Sequence, residues 1–244
     1  QCVGHTALAA SAIHTFAFDT RTLPPQPTGT VFMALRSGKR DGHSYVAEAY
    51  RLGIRLFWAQ HIPPVAQGWE DVAWILCPDV LAGLQTLAAH HRAQWPGTLV
   101  AVTGSNGKTI VKEWLAALLQ GHFRVYKSPG SFNSQLGVPL AVLGLAPEHQ
   151  VAVLEAGISH PGEMARLARI LNPDVGVFTH FGDAHHENFP SSEAKLAEKL
   201  ALFGPRCQWV AAMPAESILI RSFKGSASYE LGVRSYELRE VPYT

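Results

Sequence analysis

The sequence predicts an α/β protein in two parts. A small N-terminal α/β domain is followed by a larger domain built on a mostly parallel sheet with helices on both faces. Three observations predict this. From residue 98 onward, strand-like apolar runs at 98–102, 124–127, 151–154, 175–179 and 208–212 alternate with helical patterns near 109–120, 133–143, 161–171 and 191–203. Regular alternation of this kind argues for parallel strands covered by their own crossover helices. The first run passes through a glycine-rich turn straight into a helix. Before residue 98 the chain is irregular, and Trp95-Pro96-Gly97 marks a boundary between 1–95 and 96–244.

In order along the first part, Pro24-Pro25-Gln26-Pro27 is a loop and Val31-Phe32-Met33-Ala34-Leu35 a candidate strand. Tyr45 to Leu52 reads as a short helix stopped by Gly53. Arg55-Leu56-Phe57-Trp58-Ala59 is a second strand, and His61-Ile62-Pro63-Pro64 a second loop. Leu81, Leu84, Leu87, Ala88 and His91 sit at helical spacing, in a helix ending near Trp95-Pro96-Gly97. In the second part, Thr98-Leu99-Val100-Ala101-Val102 is a strand. The helix after the turn presents Ile110, Val111, Trp114, Leu115, Leu118 and Leu119 as its apolar positions. Beyond 204 only Tyr229-Glu230-Leu231 and Tyr236-Glu237-Leu238 suggest structure, a short hairpin.

Composition narrows the class. The 244 residues are 47% apolar and 16% charged, an ordinary globular balance. A net charge of +1 gives no electrostatic case for nucleic acid or an anionic membrane. Cys2, Cys77 and Cys207 are scattered and odd in number, which fits a reducing cytoplasm better than a disulfide framework. No apolar run approaches the roughly twenty residues of a membrane span, and no signal peptide is visible.

The chemistry gathers at strand ends. Thr103-Gly104-Ser105-Asn106-Gly107-Lys108-Thr109 lies between the strand and the helix. In that context backbone N–H groups of Gly104, Ser105, Asn106 and Gly107 and the helix N-terminus face an anion, Lys108 neutralises it, and the Thr109 hydroxyl can hold Mg²⁺. The full phosphate-loop pattern has a glycine six residues before the lysine, where this chain has Val102. A glycine-rich turn that only satisfies its own helix end is the plainer alternative. Ligands of parallel sheets bind at the carboxyl ends of strands. Glu155 follows the run 151–154, and His180-Phe181-Gly182-Asp183-Ala184-His185 follows the run 175–179. Singly, Glu155 could serve a helix dipole and His185 could be an ordinary loop histidine. Together, beside a triphosphate cradle, they suit metal-assisted phosphoryl transfer.

These residues resemble the Mur ligase family over roughly 3–204. Thr103–Thr109 looks like its ATP loop. Ser128-Pro129-Gly130-Ser131-Phe132-Asn133-Ser134-Gln135-Leu136-Gly137 is similar to its asparagine-rich segment, with Asn133 on the nucleotide side. Glu155-Ala156-Gly157 resembles its metal-binding Glu-x-Gly, and Asp183-Ala184-His185 the segment carrying its second metal-side residue. Lys199 falls where these ligases carry a carbamylated lysine. Asp19-Thr20-Arg21 and Asp41-Gly42-His43 resemble parts of the domain that binds the uridine nucleotide, although both triplets are also ordinary turn chemistry. Ser131, Ser134 and His180 stand where the family often has asparagine, and Leu200-Ala201 where Gly-Glu is usual.

The resemblance implies a bacterial, cytoplasmic, ATP-dependent amide ligase of peptidoglycan precursor synthesis. The wording of 157–164 and 184–189 is similar to members that join D-alanyl-D-alanine to UDP-N-acetylmuramoyl-tripeptide through an acyl phosphate. It implies catalytic roles for Lys108, His185 and Lys199, and two Mg²⁺ ions held by Thr109, Glu155, His185 and Lys199. It also implies a third, C-terminal domain beyond these residues, and Thr109–Leu115 looks like the ligase half of fusions with alanine racemase. The rivals are another amide ligase of Mur or folylpolyglutamate-synthase type, a nucleotide-binding module without catalysis, and a small-molecule kinase. The last would not need residues 1–95.

Overall fold

The computed structural model describes residues 2–4, 12–38, 40–212, 218–219 and 230–231. The chain forms two compact units, Gln1–Thr86 and Leu87–Thr244.

The first unit contains strands β1 (Cys2–Gly4), β2 (Thr15–Ala17), β3 (Thr30–Met33), β4 (Arg36–Ser37), β5 (Arg40–Asp41), β6 (Leu56–Ala59) and β7 (Ala73–Leu76). Its helices are α1 (Val46–Arg51) and the start of α2 (Val80–Gln94). The main sheet has the order β1-β7-β6-β3-β2, parallel except for β1. β3 and β6 lie inside it and are buried along their whole length. Both therefore read as continuous apolar runs rather than alternating ones. The sequence pattern marks neither β7 nor β2, the latter only three residues long. Phe32, Val46, Ile54, Phe57 and Trp74 make the core, with the Phe57 and Trp74 rings stacked at 4.8 Å. Each such side chain contributes about 2 kcal/mol by leaving water.

The second unit holds β8 (Thr98–Thr103), α3 (Lys108–Leu119), β9 (Val125–Lys127), α4 (Gly137–Leu143), β10 (Val151–Glu155), α5 (Glu163–Leu171), β11 (Val175–Phe178), α6 (Ser192–Leu200) and β12 (Trp209–Ala212). Its five strands run β12-β11-β8-β10-β9, all parallel. Side chains alternate between faces. Leu99, Ala101, Ala152 and Leu154 pack with Val138 of α4, Leu167 of α5 and Leu196 of α6. Val100, Val102, Val151 and Val153 pack with Val111, Leu115 and Leu119 of α3. The sheet is thus covered on both faces, and α3 turns its other apolar residues, Ile110, Trp114 and Leu118, to solvent.

The helix expected from 133 starts at Gly137. Asn133 spends its carbonyl on Gly157 N–H, and the Ser134 hydroxyl accepts from Gly137 N–H, so the turn before α4 cannot wind as helix. Near the C-terminus, Glu230–Leu231 pairs antiparallel with Ile218–Leu219, while Tyr229 and Tyr236-Glu237-Leu238 of the expected hairpin lie outside the described residues. No helix among the described residues is long and apolar enough to cross a membrane.

The topology places the site. The chain leaves β8 for β9, returns to β10 beside β8, then crosses to β11 on the other side of β8. Strand order reverses at β8, and the loops after β8, β10 and β11 open into one crevice.

Candidate functional site

The loop after β8 is held by both neighbouring strand ends. The Thr103 hydroxyl donates to Ala156 O at 2.9 Å, beyond β10. Beyond β11, Ser105 N–H donates to His180 O at 2.6 Å and its hydroxyl to Gly182 O at 2.9 Å. Asn106 and His180 form an antiparallel bridge, and the Thr179 hydroxyl lies 2.5 Å from Asn106 O. Gly104 has φ +142° and sits so close to Thr179 that a Cβ would come within 2.1 Å of its hydroxyl. Only glycine fits there. Gly107, at φ +81°, ends the turn and caps α3. The Lys108 ammonium folds back over this loop, donating to Gly104 O at 3.0 Å and Ser105 O at 3.1 Å. Burial pulls its pKa down and the Glu155 carboxylate pushes the other way.

Glu155, the last residue of β10, is fully buried. Its Oε2 accepts from the Thr109 hydroxyl at 3.2 Å and from Asn133 Nδ2 at 3.3 Å. Its Oε1 has no hydrogen bond, and the charge facing it is the Lys112 ammonium at 3.2 Å. Lys112 is itself fully buried and also donates to Ser128 O at 3.0 Å and to Gly130 O. Three residues expected at the site, Thr109, Asn133 and Glu155, therefore meet through one carboxylate. A buried carboxylate whose Oε2 sits beside a threonine hydroxyl fits a hard divalent cation that completes its shell with phosphate and water oxygens.

Lys199 and Lys195 reach the same loops from α6. Lys199 Nζ donates to Gly104 O at 3.2 Å, and Lys195 Nζ to Gly182 O at 2.5 Å and lies over the Phe181 ring. Both are buried, and neither forms an ion pair among the described residues. Burial first, then the charges of Lys108 and Lys195, lower the Lys199 pKa from its ordinary 10.5 to about 8. His185 is exposed, at φ +61°, and caps the turn His186–Asn188. Its side chain makes no hydrogen bond or ion pair among the described residues. The structure thus brings Lys199 to the phosphate loop and leaves His185 and Lys199 apart from the Glu155 cluster. No three His, Cys, Asp or Glu side chains converge as a metal cage among the described residues.

In the first unit, Asp19 caps the turn Thr20–Thr22 and pairs with Arg21, which holds its carboxyl near 2. The Thr20 hydroxyl donates to Glu48 of α1 at 3.0 Å. Asp41 caps the turn Gly42–Tyr45, and the His43 backbone N–H keeps its carboxyl below the usual range. His43 Nδ1–H donates to Asp41 at 2.6 Å, its Nε2 accepts Gln60 N–H at 3.2 Å, and its ring stacks on His61 at 4.3 Å. At Gly42 a Cβ would meet Leu35 N at 2.6 Å. Each triplet is internally bonded, and the two share no hydrogen bond or ion pair among the described residues.

Lys112, Lys195 and Thr179 were not singled out from the sequence. Lys112 stands one helical turn after Lys108, a spacing that puts it on the same flank of α3. Nothing local marks Lys195 or Thr179, whose partners are distant in sequence.

Comparison with known proteins agrees with this geometry. Residues 102–220 match the model of the Mur ligase middle domain. A UDP-N-acetylmuramoyl-tripeptide–D-alanyl-D-alanine ligase from Bacillus subtilis is 37% identical over 193 residues, 79% of this chain and 41% of the relative. One from Synechocystis is 32% identical over 231 residues, 95% of this chain and 48% of the relative. Among solved structures, MurF from Thermotoga maritima in complex with ADP superposes with a TM-score of 0.68 at 30% identity, covering 85% of this chain and 46% of that one. MurF from Acinetobacter baumannii gives 0.70 at 29%, covering 78% and 41%. The chain spans less than half the length of these relatives. On the match over 102–220, these relatives and the strand-end geometry, the chain carries a Mur ligase middle domain.

Proposed function

We propose that this chain carries the nucleotide-binding part, and the first substrate-binding part, of an ATP-dependent ligase that adds D-alanyl-D-alanine to UDP-N-acetylmuramoyl-tripeptide in the bacterial cytoplasm. The observation that carries the reading is the convergence of Thr109 and Asn133 on the buried Glu155 beside the glycine-rich loop. The relatives' activity and the ADP bound to the Thermotoga protein support it. Residues 1–95 would take the UDP end, through the turns at Asp19-Thr20-Arg21 and Asp41-Gly42-His43, and residues 96–244 the ATP.

The tripeptide carboxylate is a poor electrophile. Its oxygen attacks the γ-phosphorus, the bond to the bridging oxygen breaks and ADP leaves. The D-alanyl-D-alanine amine then attacks the acyl carbon, phosphate leaves with the bonding pair, and the nitrogen gives up a proton. The chain's part is placement and charge. Lys108 would exchange its two loop carbonyls for phosphate oxygens. Asn106 and Gly107 would present N–H groups at the start of α3, while the Ser105 N–H stays on His180 O. Thr109 and Glu155 would hold Mg²⁺, which withdraws charge from the transferring phosphoryl group when bound. Its second ion would be supported by His185 and a carbamylated Lys199. With a pKa near 8, about a tenth of Lys199 is a neutral amine at pH 7. That amine can attack CO₂, forming the N–C bond and releasing a proton, and so turn a cation into an oxygen ligand. The relatives are about twice as long, and the amide-forming step would need the part of them this chain does not span, whether or not a racemase is fused to it.

The direct test is Lys108→Ala. ADP and ATP affinity, measured by calorimetry, should fall at least tenfold, because the phosphates lose the cation folded over the loop. Unchanged affinity would remove the core of the proposal.

A further inference from the structure

Lys112 belongs to no part of the phosphate loop, yet it is the most heavily engaged cation near it. Its ammonium is buried and faces four oxygens: Ser128 O, Gly130 O, Glu155 Oε1 and, at 3.2 Å, Glu113 Oε1. It stems from α3, touches the end of β10, and holds the segment that leads from β9 to Asn133. Those are the three pieces that converge on Glu155. An ammonium so placed has two effects. It stands against Oε1, so the carboxylate cannot turn that oxygen toward the crevice without breaking a buried ion pair. It also fixes Ser128 and Gly130, three to five residues before Asn133, so that the Asn133 amide arrives at Oε2.

We propose that Lys112 is a positioning residue for the divalent cation that accompanies the nucleotide: by holding Glu155 Oε1 and the 128–130 turn, it leaves Oε2, the oxygen shared with Thr109, as the single oxygen offered to the metal. The proposal rests on the reading of Glu155 as a metal ligand. Lys112 itself touches neither metal nor nucleotide. A like charge this close also repels a cation, so removing it could strengthen metal binding. The proposal holds that alignment outweighs repulsion, because a carboxylate freed of its partner can rotate and lose the Thr109 side of the site.

The test uses the 244-residue chain with ADP and Mn²⁺, reading bound Mn²⁺ by electron paramagnetic resonance and ADP affinity in EDTA by calorimetry. Lys112→Met should weaken Mn²⁺ binding to the protein–ADP complex about tenfold while metal-free ADP affinity stays within twofold. Lys112→Gln, which keeps donors for the two carbonyls, should lie between and serves if the methionine variant does not fold. In the pair Lys112→Met/Glu155→Gln, the loss should equal that of Glu155→Gln alone, because Lys112 acts only through that carboxylate. Additive losses, or tighter Mn²⁺ binding in Lys112→Met, would overturn the proposal. Full Mn²⁺ affinity in Glu155→Gln would instead overturn the metal-ligand reading beneath it. A crystal structure of the parent with Mn²⁺ and ADP needs no variant: metal on Oε2 with Lys112 still at Oε1 supports the proposal, and metal on Oε1 or on both oxygens refutes it.

Discussion

Lys199 carries an ammonium into a place where water cannot solvate it and where Lys108 and Lys195 repel it. In the unfolded chain it keeps its proton up to about pH 10.5, and in the folded chain it releases it near 8. Between those values the unfolded state binds the extra proton, so raising pH favours the folded state. In CO₂-free buffer the parent should therefore gain stability relative to Lys199→Met from pH 8 to 10.5, by up to about 1.4 kcal/mol per pH unit. Urea midpoints of both proteins across that range measure it, and parallel curves would show that the site does not depress this lysine. At this scale the sequence was legible where a motif fixes its own neighbours. Gly104, Lys108, Thr109 and Glu155 stand at the strand ends that the apolar runs mark, whereas Asn133 is reached only through the family resemblance. Lys112 and Lys195 were hidden, because a lysine in an amphipathic helix normally points to solvent and only the tertiary fold buries these two.

The elements are joined at the opposite ends of the strands by a second charged cluster. Asp174, just before β11, accepts from Arg92 of α2 at 2.8 Å, from Leu99 N–H of β8 at 2.9 Å and from Arg206 at 2.6 Å. Arg92 is buried and also donates to the carbonyls of Leu171, Asn172 and Trp95. Asp174→Ala leaves that guanidinium without its counter-charge, which costs about 3 kcal/mol or more in comparable buried pairs. Urea unfolding should show this loss, with ADP affinity unchanged because the nucleotide site lies at the carboxyl ends. A loss under about 1 kcal/mol would mean that the carbonyls alone satisfy Arg92. The helices and strands of the second unit were readable from their alternation along the chain, because apolar runs buried on both sheet faces are set off from helices at helical spacing. The start of α4 was not, because the Asn133 carbonyl is committed to Gly157 N–H, a distant partner that no local pattern reveals. The apolar set of α3 was over-read: Val111, Leu115 and Leu119 meet the sheet, while Trp114 and Leu118 face water.

For the whole molecule, the separation into two units gives a binding prediction. If the first unit takes the UDP end and the second the ATP, each ligand should bind without the other. Titration of the 244-residue chain with UDP-N-acetylmuramoyl-tripeptide should saturate with no nucleotide present, and Arg21→Ala should weaken it severalfold while leaving ADP affinity intact. An equal response to a guanosine-linked sugar nucleotide would rule out a uridine site. The α/β class and the order of strands and helices were legible from residue 98 onward. The first unit was less so, because its strands are only two to four residues long, and β1, β2, β4 and β5 carry too few positions for a pattern.

The way the phosphate loop is held bears on how the chain acquires it. Its defining contacts join Ser105 to His180, Thr103 to Ala156 and Lys199 to Gly104, and the last closes a loop of 95 residues. Each closure costs chain entropy before it returns any contact energy, and sheets assembled from such distant pairs fold slowly. The seven-residue motif is contiguous in sequence, but its shape is a property of the finished sheet. A peptide cut from strand, turn and helix alone would keep the letters of the motif without the constraints that give Gly104 its backbone angle.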